Sequence, residues 1–142
     1  MRYYSTRTEL QQSPSKAILE GLAGDGGLYL PEQLLPIDYH DYLDLSYGEI
    51  AFRYLSDYLD DLPQQQLHAA IQKAYSSENF SLSEISALHL TSPKQGYLEL
   101  YHGKTLAFKD HALSLFPSLL TLSKQHQHQT NDIWILSATS GD

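Results

Sequence analysis

The sequence predicts an α/β fold in which short strands and a helical insert lead into a parallel βαβ unit. Three observations carry that prediction. YLELYHG (97–103) alternates, with Leu98 and Leu100 on one face and Tyr97, Glu99 and Tyr101 on the other, as a strand does. A helix-spaced apolar set, Ala112, Leu113, Phe116, Leu119 and Leu120, follows within 107–124. DIWILSA (132–138) is a second and more apolar strand. Strand, helix, strand in that order reads as a right-handed crossover between parallel neighbours. We divide the chain into residues 1–95, an α+β extension with the helical insert, and 96–142, the start of an α/β domain.

The elements of the extension follow in order. RYYST (2–6) favours a short strand. SPSKAILEGL (13–22) opens with serine and proline, a helix-start pattern, and Gly21 suits the helix end. GDGGLYLP gives a tight turn at Gly24–Gly27 and a strand at Leu28–Leu30, stopped by Pro31. A phosphate-cradling role for those glycines lacks the helix start and lysine that a P-loop needs. Ser46 and Glu49 form a capping-box pattern, followed at helical spacing by Tyr47, Ile50, Ala51, Tyr54, Leu55, Tyr58 and Leu59. Pro63 opens another helix, with Leu67, Ala70, Ile71, Ala74 and Tyr75 on one face. Residues 77–96 read as a connector with one helical turn. Pro117 should kink the helix over 107–124, because it removes a backbone donor well inside it.

Composition bounds the chemistry. The 142 residues carry 9 Lys+Arg against 17 Asp+Glu, a formal net charge of −8, which argues against nucleic-acid binding through a basic surface. With no cysteine, a disulfide framework, a thiolate metal site and a cysteine nucleophile are excluded. His126 and His128 in QHQHQ have no third ligand at a recognisable spacing, so no metal site is assigned. The N-terminal stretch lacks the apolar centre of a secretory signal, and the apolar run 112–122 is too short to span a bilayer. The expectation is a cytoplasmic protein without a membrane partner. The chain stops at TSGD, directly after its most strand-like segment; a central parallel strand needs neighbours, so a longer parent chain is expected.

One stretch carries the chemistry. HGKTLAFKD (102–110) places Lys109 after two apolar residues, Ala107 and Phe108, in the first turn of the expected helix. Desolvation and the positive end of a helix both disfavour an ammonium ion, which would leave a more nucleophilic amine of the kind a Schiff base requires. The other reading is a lysine that snorkels to solvent. ATSGD (138–142), after a strand, offers hydroxyls and amides that could hold an anion; it also reads as an ordinary strand-to-helix connection.

YYSTR (3–7), GLAGDGGLYLP (21–31), LELYHGKTLAFKD (98–110) and ATSGD, in that order, resemble the N-terminal part of the threonine synthases. The resemblance implies a fold-type II pyridoxal-phosphate (PLP) enzyme, a carbon–oxygen lyase of threonine biosynthesis that converts O-phospho-L-homoserine and water to L-threonine and phosphate. It implies that Lys109 binds PLP covalently and then moves protons, and that Thr139, Ser140, Gly141 and Asp142 receive the amino-acid end of the substrate. His102, Gly103 and Thr105 match the segment shaping the approach to the lysine. Lys104 departs from the family pattern, which has proline there. Residues 96–142 would then be the beginning of the PLP domain, cut after the substrate loop. The chain alone is expected to lack most of the cofactor pocket and to be inactive. Two alternatives stand beside this: a non-catalytic remnant that self-associates through its exposed sheet, and another fold-type II PLP lyase.

Overall fold

The computed structural model describes residues 1–136 and residue 138. Its first layer is a small antiparallel sheet. Strand β1 (Tyr3–Ser5) lies between β2 (Gln11–Gln12) and β3 (Tyr29–Pro31), with Tyr4 opposite both Gln11 and Leu30. The turn feeding β3 is built around Asp25. Its carboxylate accepts from Thr8 Oγ1 at 2.6 Å, from Ser5 Oγ at 2.8 Å and from the Gly27 amide at 2.8 Å. Gly26 has φ +77°, and a Cβ on Gly27 would overlap the Ser5 hydroxyl. Glycine is required at both positions, one for its angle and one for the close approach. Asp25 itself fills the loop that an anion would need.

Helix α1 (Pro14–Glu20) has Pro14 in its first turn and ends at Gly21, φ +69°. It is held at its N-terminus by Ser15, fully buried, which donates to Asp61 through its amide (3.1 Å) and its hydroxyl (2.6 Å). Gln127 donates to the same hydroxyl at 2.7 Å. Residues 15, 61 and 127 are thereby joined through one buried oxygen.

Helix α2 (Tyr47–Tyr58) starts with the capping box its sequence predicts: Glu49 donates its amide to Ser46 Oγ, and Ser46 donates its amide to Glu49. Helix α3 (Gln64–Ala74) follows, with Pro63 as its cap. Leu59, Leu62, Leu67, Ile71 and Ala74 form a buried cluster with Leu115, and Leu119 and Leu122 pack on its edge. Leu67 and Ile71 are wholly buried, each contributing about 1.5–3 kcal/mol by transfer from water. The core therefore draws on both sides of residue 95. Among the described residues no helix is long and apolar enough to cross a membrane.

The second half differs from the sequence expectation in three ways. The strand before Lys109 is present, as β5 (Gln95–Glu99), but it pairs antiparallel with β4 (Ala87–Ser92), within the stretch expected to be a connector. A tight turn closes this hairpin at small entropic cost, whereas a parallel partner must be brought in by a crossover. Residues 132–136 have no strand pairing among the described residues, so the expected parallel βαβ pairing is not formed there. Thirdly, Pro117 does more than kink the helix: it separates α4 (Asp110–Leu113) from α5 (Phe116–His126) and sits in the first turn of the latter. A proline ring clashes with the carbonyl four residues earlier, here that of Leu113, where α4 ends. The break shifts the buried face. Leu115 goes inside beside the expected Leu120, while Leu113 and Phe116, also expected there, are 55% and 40% exposed.

Candidate functional site

The loop 102–110 is organised around a buried carboxylate. Asp110, 7% exposed, accepts from the Thr105 amide and from Thr105 Oγ1, both at 2.8 Å. It lies directly on Gly103: a Cβ there would overlap the Asp110 side chain, with Cγ at 2.7 Å. Gly103 is therefore glycine for space, not for a left-handed angle. Leu106 takes the strained position instead, φ +62°, with its amide donating to the Gly103 carbonyl at 3.2 Å. Two further ties fix the loop's start. Gly103 bridges to Phe80, and the Ser81 amide donates to the His102 carbonyl at 2.9 Å. His102 Nε2 pairs with Glu99 at 2.9 Å, and this bond holds the Glu99 carboxyl below its ordinary range.

Lys109 is the cap residue of α4 and already has helical angles, φ −62° and ψ −23°. Its Nζ lies 4.9 Å from the centre of the Phe108 ring. Together with Leu100, Phe108, His111, Ala112 and Leu113 it lines an apolar recess of 460 Å³. Two of the expected supports for a reactive amine are weaker than the sequence suggested. A four-residue helix aligns a single turn of peptide dipoles, and the Phe108 ring beside the amine is itself 62% exposed and leaves it open to water.

Below the loop, α4 rests on an aromatic cluster. The His111 ring meets Phe80 edge-on at 5.3 Å and Tyr47 at 6.0 Å, and Tyr75 donates its hydroxyl to the His111 carbonyl at 2.8 Å. Burial raises the Tyr75 and Tyr47 hydroxyls above the ordinary phenol range. The sequence places Tyr47 and Tyr75 on the apolar faces of two helices. Their role in seating α4 has no local signal, because residues 47, 75, 80 and 111 meet only in the folded chain. An aspartate at position 110 suits a helix first turn, but its carboxylate serves instead as the anchor of Thr105. Lys104 is exposed, beside His102 and Leu106 in a shallow surface groove. Thr139, Ser140, Gly141 and Asp142, the expected substrate loop, lie outside the described residues.

The geometry can now be set beside known proteins. A family model described as the N terminus of threonine synthase matches residues 2–75, just over half the chain. The chain belongs to the threonine synthase family. Threonine synthase of Methylobacillus glycogenes is 36% identical over 157 residues, taking in 100% of this chain and 32% of that protein. The Saccharomyces cerevisiae enzyme is 33% identical, covering 99% of this chain and 30% of its own length. Among solved structures, PLP-bound threonine synthase from Brucella melitensis superposes with a TM-score of 0.83 at 32% identity, over 90% of this chain and 28% of that one. The chain thus spans about a third of the length of the curated relatives it matches, and its mixed helix–strand fold is that of the N-terminal part of threonine synthase.

Proposed function

We propose that this chain supplies the lysine-bearing N-terminal part of a PLP-dependent threonine synthase, acting on O-phospho-L-homoserine, with Lys109 as the residue that holds the cofactor. The observation that carries the reading is the lysine at the rim of an apolar recess, on a loop locked by Asp110, within a chain of this family. An amine beside apolar walls is the donor set that an aldehyde-bearing aromatic cofactor requires, so the residues present fit PLP. When bound, PLP supplies an electron sink for carbanion chemistry.

The chain's own residues do the rest of the work. Leu100, Ala112 and Leu113 give the recess an apolar wall beside the amine. The Thr105–Asp110 bonds fix the backbone on the approach to Lys109, and with it the point from which the lysine side chain extends. With the cofactor held there, the Lys109 amine would be the group that takes and returns protons. Thr139–Asp142 would hold the amino-acid end of the substrate. The 142 residues alone carry the lysine without a complete pocket, and an amine outside a preorganised site gives little catalysis.

The test joins residues 1–142 to the part of the Methylobacillus glycogenes threonine synthase lying beyond its match. With PLP added, the fusion should release phosphate from O-phospho-L-homoserine. Lys109→Ala should lower the rate by about 10²–10⁴-fold or more, and the 142-residue chain alone should release none. A folded, PLP-loaded fusion that releases no phosphate would exclude the synthase assignment.

A further inference from the structure

The loop and turn that carry Lys109 are held by one short segment of chain. Helix α3 ends at Ala74, with Leu67 and Ile71 wholly buried and Ala74 nearly so. The chain beyond it is fixed at once, because the Asn79 side-chain amide donates to the carbonyls of Lys73 and Ala74 at 3.1 and 2.9 Å. From this base, residues 75–81 reach the lysine loop at both ends. Phe80, 2% exposed, bridges to Gly103, and the Ser81 amide holds the His102 carbonyl. At the other end the Tyr75 hydroxyl donates to the His111 carbonyl at 2.8 Å.

That last contact answers a gap in the backbone. A continuing helix would give the Leu115 amide to the His111 carbonyl, four residues earlier. Here the helix breaks ahead of Pro117, and the Leu115 amide turns to the Ala112 carbonyl at 3.2 Å. The carbonyls of Lys109 and Asp110 keep their helical donors, the amides of Leu113 and Ser114. Among the described residues no backbone amide donates to His111, and a carbonyl at a helix end needs a partner from outside. Tyr75 supplies it. Burial raises this hydroxyl above the ordinary phenol range, so it keeps its proton and stays a donor. The His111 ring completes the seat, edge-on to Phe80 at 5.3 Å and with Nδ1 3.2 Å from the Phe108 carbonyl.

We propose that Tyr75 is a positioning residue for Lys109: its hydroxyl, bonded to the His111 carbonyl, fixes the turn from which the lysine extends. The helical insert then serves the reactive amine as well as the core, through a single hydroxyl in place of the amide that the helix break withdraws. The consequence for the cofactor rests on the role proposed above for Lys109; the seat itself does not.

Two matched variants test it. Tyr75→Phe keeps the ring in the aromatic cluster and removes only the hydroxyl bond. Tyr3→Phe removes a similar bond on the N-terminal sheet, from the Tyr3 hydroxyl to the Tyr58 carbonyl at 3.2 Å. The 142-residue chain is treated with limiting acetic anhydride, and each lysine is read by peptide mass spectrometry. Tyr75→Phe should speed acetylation of Lys109 relative to the exposed Lys94 by about threefold or more, and Tyr3→Phe should leave that ratio nearly unchanged. In the fusion to the Methylobacillus glycogenes remainder, Tyr75→Phe should raise the PLP concentration for half-maximal borohydride-trapped label on Lys109 by about tenfold, and Tyr3→Phe by less than about twofold. Equal acetylation ratios in parent and both variants would overturn the proposal, as would equal half-saturation in the three labelled fusions. A Tyr75→Phe chain that no longer melts cooperatively would overturn it too, by showing that the hydroxyl holds the whole fold rather than the lysine turn. A parent fusion with no label on Lys109 would instead refute the cofactor assignment, and the acetylation ratios would still decide the seat.

Discussion

At the scale of single residues, the contact between Gly103 and Asp110 decides how the reactive loop is held. The Asp110 side chain occupies the space a Cβ would need, and its oxygens are committed to Thr105. Gly103→Ala should therefore force Asp110 and the Thr105 turn apart, destabilising the chain by about 1–3 kcal/mol in urea unfolding. Thr105→Val, which removes only the hydroxyl bond, should cost about 1 kcal/mol. If Gly103→Ala proved neutral, the close approach would not be what selects glycine there. Lys104 shows the opposite case: it is exposed on the same loop, and nothing in the structure explains why lysine rather than proline stands at that position.

At the scale of elements, the sheet β1–β3 depends on a carboxylate whose state follows pH. Hydrogen bonds from Thr8, the Gly27 amide and Ser5 lower the Asp25 pKa below its ordinary value. A carboxyl depressed in the folded state contributes stability above its unfolded pKa of about 3.9, and that contribution is lost as pH falls through the folded value. The melting temperature should hold above about pH 4 and decline below it, and Asp25→Asn should make the acid decline shallower. An unchanged acid profile in Asp25→Asn would show that the turn does not depend on the charge.

The same scale shows which elements were readable in the sequence. The capping box at Ser46 and Glu49, the Pro14 helix start and the Gly24–Gly27 turn are local patterns, and each is formed as read. The hairpin is less legible: ALHLTS alternates as a strand does, but no Asn-Gly or Asp-Gly turn joins it to the strand that follows. The division of the helix at Pro117 was under-read as a kink. The shift of the buried face from Phe116 to Leu115 followed from that break and could not be had from periodicity alone.

At the scale of the whole molecule, the described residues share a core that joins the two halves of the chain. Leu115 packs with Leu59, Leu67 and Ile71, so the segment carrying Lys109 is anchored to the N-terminal helices. The motif set is enough to point to the family, because its residues are contiguous in sequence. It gave none of the seating by Tyr47, Tyr75, Phe80 and His111, which depends on chain segments far apart. That arrangement packs the segment carrying Lys109 against the N-terminal helices.

The central claim is that Lys109 holds the cofactor. Borohydride reduction of the PLP-loaded fusion, followed by peptide mass spectrometry, reads this most directly. The account predicts that the phosphopyridoxyl group is found on the peptide containing Lys109, and that Lys109→Ala removes it without moving it to Lys104. Label on Lys104, or spread evenly over the lysines of residues 1–142, would contradict it.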